Sequence, residues 1–184
     1  LEEDLLKANM PFKMVGGQRF YERMEIKDLL AYLRLLVNPT DDFSFRRVVN
    51  APKRGIGDKS IEKLALFAEM HSFSLLEAAG SPLNGISGKA GKGLADFAQL
   101  IADLTKMQEF VTLTDLIEEV MNKSGYITAL EQARTMEADA RIDNMREFLS
   151  VAKEFEDSRL DTQAEESPLV QFLTDLSLVT DMES

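Results

Sequence analysis

From Glu25 to Leu178 the apolar residues of this chain return every three or four positions and almost nowhere every two. The sequence can therefore build helices but not a sheet of its own. Ile26, Leu29, Leu30, Leu33 and Val37 fall on one helical face, and Asn38-Pro39 ends the run. Residues 43–49 predict a short helix. Ile61, Leu64, Ala65 and Ala68 mark the next, and residues 75–79 a small one stopped by Gly80-Ser81-Pro82. Leu94, Phe97, Ala98, Ile101 and Leu104 trace a longer helix; Leu113, Leu116, Ile117, Val120 and Met121 trace another, closed by Lys123-Ser124-Gly125. The strongest stripe is Ile142, Met145, Phe148, Leu149, Ala152 and Phe155. Residues 157–167 read as an acidic linker, and residues 169–178 as a final helix entered through Pro168.

One segment breaks the pattern. Residues 1–9 look like the end of a helix, and Phe12-Lys13-Met14-Val15 then alternates like a strand until Gly16-Gly17 interrupts it. A single strand leaves backbone donors and acceptors open along both edges. It is expected to belong to a sheet whose other strands lie outside these residues, and a start on Leu1 fits a piece of a longer chain. The expected fold class is all-α: an irregular multi-helix bundle with helix-hairpin-helix-like turns, plus one orphan N-terminal β-strand from an adjacent domain.

With 184 residues, 45% of them hydrophobic, the chain can bury a core of its own. It has no cysteine, which excludes disulfides and thiolate metal sites and favours a reducing compartment. Its apolar runs are too short to cross a bilayer, so a soluble protein is expected. The net charge of −11 argues against a general polyanion binder, but it conceals an asymmetry. Residues 46–63 carry six cations (Arg46, Arg47, Lys53, Arg54, Lys59, Lys63) against Asp58 and Glu62. That stretch is +4 and the remainder −15. Residues 154–184 hold nine acids and only Arg159. Any contact with a polyanion must be local.

The cationic stretch centres on Pro52-Lys53-Arg54-Gly55-Ile56-Gly57-Asp58-Lys59-Ser60. Two glycines allow a tight turn and close approach of the backbone to a ligand. Amide protons at the start of the following helix can then face an anion. Lys53, Arg54 and Lys59 add point charges, which is what a phosphate ribbon requires of a reader indifferent to base sequence. The same residues also fit a plainer arrangement, in which Gly55 caps one helix, Asp58 or Ser60 caps the next, and the cations are solvated. From the turn alone both readings stand.

A second glycine-rich turn, Gly85-Ile86-Ser87-Gly88-Lys89-Ala90, again precedes a helix and carries Lys89 and Lys92. Two such units would let one rigid body grip phosphates at two points. At Ser124-Gly125-Tyr126 a helix cap is the better reading. Catalytic readings fare badly. His71 is the only histidine, no phosphate loop of the Gly-x-x-x-x-Gly-Lys-Ser/Thr type occurs, and the adjacent pairs Glu118-Glu119 and Glu165-Glu166 are poorly placed to share a metal or proton.

Val15-Gly16-Gly17-Gln18-Arg19-Phe20-Tyr21-Glu22-Arg23-Met24-Glu25-Ile26-Lys27-Asp28, followed by Tyr32-Leu33-Arg34, Asn38-Pro39, the Pro52–Gly57 turn, Ser124-Gly125-Tyr126 and Arg141-Ile142-Asp143-Asn144, resembles the UvrD/PcrA/Rep family of superfamily-one DNA helicases, its PcrA-like branch most of all. The resemblance covers essentially the whole chain. It implies that residues 1–27 are a remnant of the RecA-like motor domain 2A and residues 28–184 the helical 2B subdomain. By the same resemblance the parent is an ATP-dependent 3'-5' DNA helicase of DNA repair and plasmid replication, cytoplasmic, using ATP and Mg. These residues would themselves hold no cofactor and neither hydrolyse ATP nor unwind DNA.

On that footing the expected DNA-binding residues are Lys53, Arg54, Gly55, Ile56, Gly57, Lys59 and Ser60, joined by Gly88 and Lys89 of the second turn. Phe20 and Arg23 match a region near the single strand or the domain hinge. The implied partners are duplex DNA at a fork or junction, the helicase domains 1A, 1B and 2A, and repair or replication proteins, with no membrane. The alternative is a protein-interaction or autoinhibitory module of the same helicase, motivated by the −15 outside the clamp. An independent small enzyme ranks last.

Overall fold

The computed structural model describes residues 17–159 and 167–182. These form ten helices: α1 (Gly17–Glu22), α2 (Met24–Val37), α3 (Asp42–Val48), α4 (Asp58–His71), α5 (Leu75–Ala79), α6 (Gly88–Met107), α7 (Leu113–Lys123), α8 (Tyr126–Ala133), α9 (Met136–Ser158) and α10 (Pro168–Met182). No strand occurs among the described residues. The strand expected at residues 12–15 and the helix end at 1–9 lie outside them, as does most of the expected acidic linker. Asp157 and Ser158, the first residues of that linker, instead continue α9. Phe155 is buried one turn earlier, and Lys153 pairs with Asp157 at 3.4 Å along the helix, so the last turn is held on both faces.

The middle of the body is α2, which packs against α1, α3, α6, α7, α9 and α10. A helix surrounded in this way must be apolar nearly all round, and Ile26, Leu29, Ala31, Leu33, Leu35 and Leu36 are all buried. The single stripe expected from the sequence therefore understates it. Val37, placed on that stripe by periodicity, is 39% exposed, because Leu35 and Leu36 take the inward positions in the last turn.

The stripe of α9 is buried as expected at Ile142, Met145, Phe148, Ala152 and Phe155, with Val151 added and Leu149 only half-buried. Against it lies α10, whose Leu169, Phe172, Leu176 and Val179 recur at helical spacing on the inner face. The Phe172 ring stands 5.7 Å from Phe148 and 5.2 Å from Phe155. Burying a phenylalanine of this kind contributes about 2–3 kcal/mol.

Between α2 and α7 the chain makes two consecutive helix-turn-helix units, α3-turn-α4 and α5-turn-α6. The short α5 touches α3, α4 and α6, so the two units pack as one. Asp42 Oδ1 accepts from the Leu75 amide at 2.9 Å and fixes the start of α5 on α3. Helix α8, which the sequence reading leaves unassigned, is only eight residues long. It is entered through Gly125 at φ +85°, a left-handed conformation that glycine adopts without strain.

Five of the described helices begin with a side chain closing the first turn. Asp41 accepts from the Ser44 amide, Ser74 from Glu77, Thr112 from Asp115, Thr135 from Ala138 and Ser167 from Val170, at 3.0 to 3.2 Å. Helices α4 and α6 do not begin this way.

Candidate nucleic-acid interface

The turn between α3 and α4 is closed by Asn50. Its Oδ1 accepts from the amides of Arg54 (3.1 Å) and Ile56 (3.3 Å), and its Nδ2 donates to the Ile56 carbonyl. Gly55 takes φ +73°, and Gly57 leads in extended conformation into α4. The Ile56 side chain is 4% exposed and seated on α6 at Gly93, where an added Cβ would lie 3.1 Å from Ile56 Cγ1 and 2.8 Å from the Arg54 carbonyl.

The expectation that the Ile56 amide faces a phosphate is therefore corrected. That amide is occupied by Asn50, and the side chain is a hydrophobic plug. The open donors come one turn later. Gly57 has no side chain with which to cap α4, and the first helical bond runs from the Ile61 amide to the Gly57 carbonyl. The amides of Asp58, Lys59 and Ser60 are left without a partner among the described residues. Lys53, Gly55, Gly57 and Lys59 are exposed, and Ser60 is half-buried in the first turn of α4. The exposed Asp58 carboxylate beside these amides favours the helix end but would repel a phosphate.

Arg54 is corrected as well. Its Nη1 donates to the carbonyls of Val48 and Val49, each at 2.9 Å, and its Nη2 to the Tyr32 hydroxyl at 2.8 Å and the Ser124 carbonyl at 3.0 Å. The guanidinium lies over the Phe97 ring, 4.9 Å from its centroid. With these donors directed into the protein it is not a free phosphate ligand. Tyr32 in turn donates to the Ala51 carbonyl, and burial holds its phenol above the ordinary tyrosine range despite the opposing Arg54 charge.

The second turn repeats the construction. Asn84 Oδ1 accepts from the Ile86 amide at 2.9 Å, Gly85 takes φ +76°, and α6 begins two residues after the isoleucine, as α4 does after Ile56. Ser87 stands at the cap without a side-chain bond. The first helical bond is from Gly91 to the Ser87 carbonyl, so the amides of Gly88, Lys89 and Ala90 are also unpartnered among the described residues.

The two turns meet. The aliphatic stem of Lys89 lies against Gly55, where a Cβ would stand 2.6 Å from Lys89 Cε, and Lys63 Nζ donates to the Gly85 carbonyl at 2.9 Å. The result is a shallow concavity lined by Asn50, Lys53, Arg54, Gly55, Gly57 and Lys89. Lys53 and Lys89, far apart in sequence, both line it, Gly57 in its wall leads directly into the open amides of α4, and Lys89 carries one of the open amides of α6. Such an arrangement can hold phosphate oxygens and has no group that would read a base.

The remaining candidates separate clearly. Phe20 is buried, edge-on to Tyr21 at 5.0 Å, so it cannot stack on a base; Arg23 is exposed at the start of α2. At Ser124-Gly125-Tyr126 the Ser124 hydroxyl accepts from the Tyr126 amide, in keeping with a helix cap. His71 is sandwiched against Phe67 and Phe73, and no group of three or more His, Asp or Glu residues suited to a metal exists among the described residues. No helix there is long and apolar enough to cross a membrane. Asn50, Asn84 and Gly93 were not singled out from the sequence, and Tyr32 entered only as part of a matching block. An asparagine shortly before each Gly-Ile pair was the available signal.

The profile of the family described as UvrD-like helicase C-terminal domain matches residues 1–184. The chain belongs to the PcrA/UvrD family of superfamily-one helicases. Among curated relatives, the ATP-dependent DNA helicase PcrA of Staphylococcus aureus (strain Mu50) is 46% identical over 184 residues, all of this chain and 25% of the relative. PcrA of Bacillus subtilis (strain 168) is also 46% identical, over 24% of its length. PcrA of Staphylococcus epidermidis is 44% identical, over 25%. The chain thus spans about a quarter of the relatives it matches.

Proposed function

We propose that residues 28–184 are the 2B subdomain of an ATP-dependent 3'-5' DNA helicase and that its task is to hold the duplex ahead of the fork. Residues 1–27 would then be the end of the motor domain 2A. The observation that carries this reading is the meeting of two Asn-Gly-Ile turns, each opening an uncapped helix, with Lys53 and Lys89 lining the concavity they share. Open amides at two helix starts supply fixed partial charges, and the lysines supply mobile ones. Together they suit successive phosphates of a duplex and leave its sequence unread.

The relatives' printed names support the parent activity. ATP and Mg would be handled by the remaining three quarters of the parent, domains 1A, 1B and 2A, so this body contributes grip and not hydrolysis. Work in DNA repair and plasmid replication in the cytoplasm belongs to the same proposal. The exposed row Asp139, Asp143 and Glu147 along α9 favours an additional role, as a surface for a basic protein or for an autoinhibitory contact.

The test is duplex binding followed by fluorescence anisotropy across a salt series. Lys53→Ala combined with Lys89→Ala should weaken binding and flatten the salt dependence by about two units, one per lost phosphate contact. Equal affinity and slope in the double variant would refute the clamp. Binding of a basic partner that duplex does not displace would assign the α9 surface separately.

A further inference from the structure

We propose that Arg54 is the positioning residue of this clamp: it touches no phosphate, and by tying the first turn to four helices it fixes the spacing between the amides of α4 and Lys89 of α6. The inference rests on the clamp reading for its effect on DNA and on the geometry alone for its effect on the turn.

The guanidinium reaches the carboxyl ends of two helices, α3 through Val48 and Val49 and α7 through Ser124, and it also bonds Tyr32 of α2 and covers Phe97 of α6. No carboxylate pairs with it among the described residues. Its charge is balanced by carbonyl dipoles at two helix ends, where a cation is favoured. Its backbone is fixed at the same time, since the Arg54 amide is held by Asn50 and its carbonyl presses on Gly93. Side chain and main chain of one residue therefore link the frame of the bundle to the loop that carries Lys53 and Gly55.

Lysine cannot substitute. An ammonium is a compact charge on a single stem, whereas these acceptors are met by two nitrogens of one planar fork. A phosphate contact would respond differently, since lysine serves a phosphate well. Arg54→Lys keeps the charge and thereby separates the two roles.

The experiment compares wild type, Arg54→Lys and Lys53→Ala, at a temperature well below the melting point of each. Duplex affinity is read against salt, and amide hydrogen exchange is read at Ile56 and Ile61 with Phe148 of α9 as the internal reference. Arg54→Lys should lower duplex affinity about tenfold with the salt slope unchanged. The Ile56 amide should exchange faster while Phe148 does not. Affinity within about twofold of wild type would reduce Arg54 to a core residue or to a phosphate contact that lysine replaces, and either overturns the proposal. If wild type binds no duplex, the clamp reading fails and exchange at Ile56 decides: acceleration in Arg54→Lys supports positioning, and no change overturns it. Should Arg54→Lys not fold, Tyr32→Phe, which removes one acceptor, should give the same pattern with a smaller change.

Discussion

Tyr126 and Asp28, 98 residues apart in the sequence, are joined by a hydrogen bond of 2.6 Å from the phenol to carboxylate Oδ2, and the other carboxylate oxygen pairs with Arg47 Nε at 2.9 Å. One buried carboxylate on α2 thus fastens the start of α8 and the end of α3 to the central helix. Removing the phenol hydroxyl leaves that carboxylate short of a donor in a site closed to water. Tyr126→Phe is expected to lower stability by about 2 kcal/mol in urea melts, the usual scale for a hydrogen bond to a charged group. A loss below about 0.5 kcal/mol would show the bond to be incidental.

The same carboxylate gives the fold a pH dependence. Burial raises the Asp28 pKa above the ordinary aspartate value, with Glu25 adding to the rise and Tyr126 and Arg47 opposing it. The folded chain therefore binds this proton more readily than the unfolded chain. Its stabilising contribution is complete below the unfolded pKa and is lost as pH rises through the folded one. The stability of wild type relative to Asp28→Asn should fall between about pH 4 and the raised folded value, and level off above it. A difference that grows with pH over that range would reverse the sign and discard the account.

Capping provides a contrast within one molecule. Thr112 Oγ1 accepts from the Asp115 amide at 3.2 Å, whereas Ser87 at the equivalent position of α6 makes no such bond. Thr112→Ala is expected to cost about 1 kcal/mol and Ser87→Ala no more than a few tenths, measured by thermal or urea unfolding. Equal costs would mean that the amides of Gly88, Lys89 and Ala90 are not open in solution.

Gly93 is the closest approach of α6 to the first turn. A methyl group there meets the Arg54 carbonyl at 2.8 Å and Ile56 Cγ1 at 3.1 Å, a backbone atom and a buried side chain, neither of which can swing away. Gly93→Ala should destabilise by about 1–3 kcal/mol through overpacking and should weaken duplex binding by displacing the turn. Retained stability and affinity together would show that the turn has slack.

The sequence and the structure agree best where a residue's job depends on its neighbours in the chain. The stripe of α9, the final helix α10 with its proline entry and the two glycine-rich turns all follow from spacing of a few residues, and all are found. The enclosure of α2 was not legible, because periodicity reports one face and cannot say that six helices surround the other sides. Arg54 was misread for a related reason. A cation beside glycines looks solvated until its acceptors at Tyr32 and Ser124, 22 and 70 residues away, are folded onto it. The burial of Phe20 was likewise not legible, since nothing local distinguishes a buried ring from an exposed one.

Half of the proposed grip consists of peptide NH groups, which no codon change at their own position can delete unless it introduces proline. Surface drift at Lys53 or Lys89 would then erode hold gradually, whereas a change at Asn50 or Gly55, which shape the turn, or at Gly93 beneath it would displace the whole arrangement at once.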